Sequence, residues 1–315
     1  MTSNPILGSG RHTYELVPDW AKIPASLKVG FTHGVAVDSQ NRVYVFTQSI
    51  REPVNAMLVF DEDGTFIKTW NNNYEKGAHG LTLVKEGSEE FLWLCDYSTQ
   101  RVVKTTLDGE EILTLPQPPL PEVYPERKNY IPTNCAPIPN GDVYVADGYG
   151  RFWIHQYSHS GDYIRSFGGK GDEPGKFNCP HGIIIDDRDG TKKVLVADRQ
   201  NVRLQTLSLS GEPISIFGSE HLRHPCHFDI NAEGDLLIPD LHGRVTIFDK
   251  NNQLVTHVGD NPGIEKTEGW PNLPKETWVP GKFISPHSAC WDRNGDMYVG
   301  EWIRIGRITK LERVQ

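Results

Sequence analysis

The chain has 315 residues, a formal net charge of -9 and 37% hydrophobic residues spread along its whole length. An acidic balance without any basic run argues against nucleic acid or an anionic membrane surface as partner, because binding to phosphate is largely cationic neutralisation. No apolar stretch approaches the roughly eighteen residues that span a bilayer, and MTSNPILGSGRHTYEL lacks the cationic start and apolar core of a leader, so the expectation is a soluble, cytoplasmic protein.

Residues 1–28 form an N-terminal extension in which Thr13 to Trp20 (TYELVPDW) carries an apolar strand pattern. Beyond it a unit recurs at intervals of 45–61 residues, longest where segments are inserted. Copies begin at His33, Thr133, Cys226 and, with the same residue as the first, His79, His181 and His287. Each copy opens on an apolar strand, as in HGVAVD, HGLTLV, HGIIID and HSACWD. A turn rich in Gly, Asp or Asn follows, then a second strand ending in an acid or polar residue: RVYVFTQS, LWLCDYSTQRV, VYVADGYGRF, VLVADRQNVRL, LLIPDLHGRV and MYVGEWIRIGRI. Alternation and short apolar blocks bounded by turn formers predict strands throughout. Turns such as Asp61 to Gly64, Pro139 to Asp142 and Arg293 to Asp296 supply the left-handed residues that hairpins need.

Six units of short antiparallel strands predict an all-β, six-bladed β-propeller occupying residues 1–315 as a single domain, with blades starting near 33, 79, 133, 181, 226 and 287. The sixth unit ends soon after Lys310, so the N-terminal strand is expected to complete it and close the ring, removing exposed edges. Residues 116–132 and 259–283 break the repeat as Pro-rich, aromatic insertions. Insertions of that length tend to be binding loops or lids, and both are expected over one mouth of the propeller.

Five cysteines, Cys95, Cys135, Cys179, Cys226 and Cys290, are odd in number and include no CxxC pair. That pattern predicts reduced, buried thiols rather than a disulfide or zinc-ribbon framework. The unit-end acids Asp96, Asp147, Asp198, Asp240 and Glu301 are each followed by an arginine: Arg101, Arg151, Arg203, Arg244, and Arg304 or Arg307. Repetition across units predicts structural ion pairs rather than a carboxylate metal site.

Four histidines at one register of a repeat, His33, His79, His181 and His287, are expected to share one height in a closed ring. Imidazole is the commonest zinc ligand and also suits iron, copper and nickel. Three of them plus an open position make a centre able to polarise a substrate oxygen. The additional cluster His221, His224 and His227 flanks Cys226, which takes the register position itself; it predicts a solvated or hydrogen-bonded loop group.

GVAVDSQNRVYVF, AHGLTL, VYVADGYGR, CPHGIIID, VADRQNVR and SPHSACWD together give the chain a resemblance to NHL-type six-bladed propellers similar to peptidyl-α-hydroxyglycine α-amidating lyase, from about Tyr14 to the C-terminus. The resemblance implies a catalytic zinc held by His79, His181 and His287, with Tyr149 as general base and Arg199 as an active-site cation. A phenol beside a divalent cation gives up its proton more readily, and a guanidinium presents a planar fork to a carboxylate. Three departures stand out. Gln48 occupies the place of the family's second substrate arginine, with Arg51 as a nearby substitute. Ser288 replaces the acid that binds the family's structural calcium, and His33 is an additional fourth imidazole. These features imply a metal-dependent lyase acting on a small polar hydroxylated substrate, with a divalent metal ion, zinc first and iron or copper as alternatives. The competing readings are a four-histidine metal oxidoreductase and a non-catalytic NHL-type protein-binding scaffold; the oligomeric state is left open.

Overall fold

Strands that are buried on both faces read as nearly continuous apolar runs, and the second strand of each unit obeys this rule. Val43–Gln48 and Leu236–Asp240 are buried at every position. The outermost strands are the opposite; four of the five residues of Pro213–Phe217 are exposed. In the computed structural model, which describes residues 3–49, 51, 53–70 and 72–314, the described strands make six antiparallel meanders. The fold is that of an all-β, six-bladed β-propeller, and helical structure among the described residues is confined to short 3₁₀ turns such as Arg199–Asn201. Residues 1, 2 and 315, the ends of the expected domain, lie outside the described residues.

Two compact units divide the chain, Met1–Glu75 with His221–Gln315, and Lys76–Glu220. The first holds the blades that start near residues 33, 226 and 287. Strand His12–Val17 pairs antiparallel with Arg307–Arg313, placing Tyr14 opposite Arg313 and Val17 opposite Lys310. The N-terminal strand therefore completes the sixth blade as its sequence suggested. A further strand, Ile6–Ser9, pairs with His12–Val17 and makes that sheet five-stranded. Tyr14 is fully buried, and its hydroxyl accepts the indole N–H of Trp291 at 2.8 Å. Behind it, His12 Nδ1 lies 2.9 Å from the same hydroxyl and Nε2 2.7 Å from Asp235. The closing strand is thus anchored by core packing as well as by its ladder.

The second unit holds the blades that start near 79, 133 and 181. Residues 116–132 contribute to its core. Tyr124 and Tyr130 are buried with Trp93, Cys135 and Tyr157. The Tyr124 hydroxyl also donates to Asp147 at 2.7 Å and lies 2.8 Å from His155 Nε2. Burial with no compensating charge pushes the His155 imidazole down to about 3.

The unit-end acids are structural, but only some form the expected pairs. Arg203 meets Asp198 at 2.8 Å, Arg307 meets Glu301 at 3.1 Å, and Arg244 lies 3.7 Å from Asp240. Arg101 pairs with Glu111 at 2.6 Å, and Arg151 gives Asp147 its backbone N–H at 2.5 Å. The role they share is to accept backbone N–H groups of nearby connecting segments. Asp96 receives Ser98 and Thr99, Asp147 receives Ile131, Asp198 receives Asn178, Asp240 receives His224, and Glu301 receives Ile284 and Ser285. Buried carboxylates satisfied in this way pin loop ends that would otherwise leave amides unpaired. All five cysteines are buried, and none of them forms a disulfide.

Candidate functional site

His79 stands second in the strand Ala78–Glu86, and Gly80 follows it because another backbone comes close. A Cβ at Gly80 would lie 2.6 Å from the carbonyl oxygen of Thr133. That approach lets His79 Nδ1 reach the same oxygen at 2.6 Å. A carbonyl only accepts, so the proton sits on Nδ1 and Nε2 is left as the nitrogen with a lone pair. His181, second in Pro180–Asp186, faces it edge to face with ring centroids 4.8 Å apart.

Between the two lies the Tyr149 hydroxyl, 3.1 Å from His79 Nε2 and 2.9 Å from His181 Nε2. Its presenting turn is held from below: Asp147 binds the amides of Ile131 and Arg151, and Tyr149 N–H reaches Ile131 O at 3.3 Å. Gly148 is needed there too, since a Cβ would fall 2.4 Å from Pro180 O. Arg199 closes the group. Both terminal guanidinium nitrogens are 3.4 Å from the Tyr149 hydroxyl, and the guanidinium carbon is 5.3 Å from the ring centroid. Asp198 fixes that turn through Asn178 N–H, Asn201 and Arg203. The structure therefore brings His79, His181, Tyr149 and Arg199 into one cluster within residues 76–220.

In the other unit His33 and His287 form a second imidazole pair, with centroids 4.6 Å apart. His287 Nδ1 lies 2.8 Å from His33 O, the same carbonyl tether as in His79, so its Nε2 is likewise the lone-pair nitrogen. His33 Nε2 is 3.2 Å from Gln48 Oε1 and donates its N–H to that oxygen, which joins Gln48 to this pair. Ser288 accepts the Val35 amide at 3.1 Å and so ties the first and sixth blades together. Arg51 is exposed, with its backbone N–H on Ser49 Oγ at 3.3 Å. Histidine groups of this chain could hold a metal ion.

Tyr97 was not singled out from the sequence, yet its ring lies 5.9 Å from that of His79 and 6.2 Å from that of Tyr149. The signal was present: Tyr97 follows Asp96 much as Tyr149 follows Asp147. The cluster near Cys226 is dispersed rather than solvated as a group. His221 packs on Phe248, His224 stacks on His242, and both ring nitrogens of His227 are buried. Desolvation pushes His227 down to about 4.

No family model matches the chain. Over 200 residues it is 30% identical to NHL repeat-containing protein 3 of Homo sapiens, a match covering 61% of this chain and 56% of that protein. Over 165 residues it is 32% identical to peptidyl-alpha-hydroxyglycine alpha-amidating lyase 1 of Drosophila melanogaster, covering 49% of this chain and 28% of that one. The chain thus matches little more than half the length of the first relative and much less of the second. A solved gluconolactonase from Xanthomonas campestris superposes with a TM-score of 0.66 at 13% identity, covering 98% of this chain and 95% of that one. That likeness concerns the fold. The chain is similar to NHL repeat-containing and amidating-lyase proteins.

Proposed function

We propose that the protein is a metal-dependent, lyase-type enzyme acting on a small polar substrate that carries a hydroxyl next to a C–N or C–O bond. The observation that carries this reading is the Tyr149 hydroxyl, set within hydrogen-bond reach of two imidazoles and a guanidinium. His79, His181 and His287 are the proposed ligands, by resemblance and shared register, with His33 as a candidate fourth. The lone-pair Nε2 atoms of His79 and His287, fixed by their Nδ1 tethers, suit a divalent cation. When bound, the metal would polarise the substrate's hydroxyl oxygen.

The remaining chemistry falls to this chain's side chains. Tyr149, ionised, takes the hydroxyl proton; the C–O bond becomes a carbonyl as the C–N bond breaks, and the departing nitrogen receives a proton. Arg199 holds the phenolate charge and offers its outer edge to a substrate carboxylate. Tyr97, on the edge of the same group, bounds the space in which the substrate sits. Gln48 supplies an amide where the amidating-lyase resemblance expects a guanidinium, so a second substrate carboxylate contact is weakened.

The test is turnover of a panel of α-hydroxy amides, an α-hydroxyglycine amide among them, followed as release of carbonyl product. Turnover that is lost on chelation and restored by added zinc, iron or copper supports the proposal. Metal-loaded protein that releases no carbonyl from any member overturns it. The α-hydroxyglycine amide itself is expected to be a poor member because of Gln48.

A further inference from the structure

The insertion 259–283 contributes a tryptophan to a row of half-buried rings that the chemistry above does not use. His224 and His242 stack with centroids 4.6 Å apart and an interplanar angle of 12°. His242 meets Trp270 at 5.7 Å, Trp270 meets Trp302 at 6.3 Å, and Trp302 meets Phe31 at 5.3 Å. All five rings belong to one compact unit and none is fully buried.

The row is built rather than accidental. Trp270 gives its indole N–H to Ile284 O at 2.9 Å, and the insertion is seated by Leu273 packing on Ile284 and Ile303. Trp302 N–H bonds Ser285 O at 2.7 Å. Asp240 accepts the backbone N–H of both His224 and His242, at 2.6 and 3.4 Å. Arg223, whose guanidinium reaches His242 O, is paired with Asp260. The row adjoins the His33 and His287 pair at two points: Phe31 lies two residues before His33 and opposite Gln48, and Trp302 follows Glu301, the strand partner of Pro286.

We infer that this row is a specificity surface that takes a flat aromatic group of the same substrate, beside the His33 and His287 pair. The inference rests on the proposed function for its location. All five residues keep part of their surface exposed, and a planar guest stacking on such rings gains contacts that add to simple area burial. An anionic group has less to gain there, because aromatic faces favour cations and Arg223 at the edge of the row is already paired. The substrate class is therefore an aromatic amide, with its polar hydroxylated end toward the histidines.

Isothermal titration of the full-length, metal-loaded protein with N-acetyl-tryptophanamide and N-acetyl-leucinamide tests the inference. The aromatic amide is expected to bind about tenfold more tightly, and Trp302→Leu to remove most of that preference. Phe31→Leu is the gentler second variant should Trp302→Leu unfold, as judged by its melting curve. Equal affinity for the two amides, or a preference that survives both variants in folded protein, overturns it. Metal content is measured alongside. An aromatic preference in protein that takes up no metal sinks the proposed function and leaves the surface standing, whereas metal uptake without the preference does the reverse.

Discussion

His79 and His181 hold their rings 4.8 Å apart, and the Nε2 atoms of both reach one phenol oxygen, that of Tyr149. Two imidazoles turned toward one ionisable hydroxyl constitute an arrangement for handling a proton, and a buried arginine beside it supplies charge.

Tyr149→Phe removes the proton acceptor and leaves the ring. Turnover should fall by about 10²–10⁴-fold through kcat, the range ascribed to a positioned general base. Metal content and melting temperature should stay near wild type. Unchanged kcat in steady-state assays on the preferred α-hydroxy amide would remove Tyr149 from the chemistry.

Arg199→Lys keeps the charge but loses the fork and its contact with the Tyr149 ring. A lysine is not equivalent at such a position. Both Arg199→Lys and Arg199→Gln should raise KM for carboxylate-bearing substrates, with the glutamine variant also lower in kcat. Full rescue by lysine would show that only a point charge is needed.

Tyr14→Ala tests the N-terminal closure of the sixth blade. The ring is completely buried and hydrogen-bonded to Trp291, so its loss should cost about 3–5 kcal/mol. Denaturant unfolding should show the earlier midpoint, and a chain beginning at Pro18 should do worse. A midpoint unmoved by either change contradicts this role for the N-terminal strands.

Stability should depend on pH through His155. Its folded pKa, near 3, lies below the ordinary value of 6.5, so the unfolded chain binds more protons between these limits. Its contribution is intact above pH 6.5 and is lost as pH falls through that window, by up to about 1.4 kcal/mol per pH unit. Asp147, pushed up to about 6 by burial, acts in the opposite sense between its ordinary value and pH 6, so comparison with a variant isolates the histidine. The stability advantage of wild type over His155→Gln should shrink on acidification from pH 6.5 to 4. A constant difference would mean that His155 does not titrate as its burial implies.

The architecture was legible because repetition amplifies weak local signals. A single run such as VYVFTQ reads only as a strand, but six similar runs at matching spacing specify blades. The closing strand His12–Val17 was legible from its apolar pattern, while Ile6–Ser9 was not, since only Leu7 in it is buried. The pairing of His79, His181, Tyr149 and Arg199 could be anticipated from shared register and motif resemblance. Other features depend on distant packing that a linear reading does not contain. Tyr124 reaches Asp147 across 23 positions, Arg101 meets Glu111 on the neighbouring strand, and Trp270 joins a row of rings whose members lie far apart in sequence. Tyr97 was visible as a second tyrosine after a unit-end acid, but nothing in its spacing alone assigned it to the site.

Metal content bears most directly on the central claim that the registered histidines hold a catalytic ion. Purified protein dialysed against zinc, iron and copper in turn should retain one divalent metal per chain by elemental mass spectrometry. His79→Ala, His181→Ala and His287→Ala should each retain almost none while melting cooperatively. Folded wild-type protein that retains no metal from any of the three, or alanine variants that retain it as well as wild type does, would contradict the account.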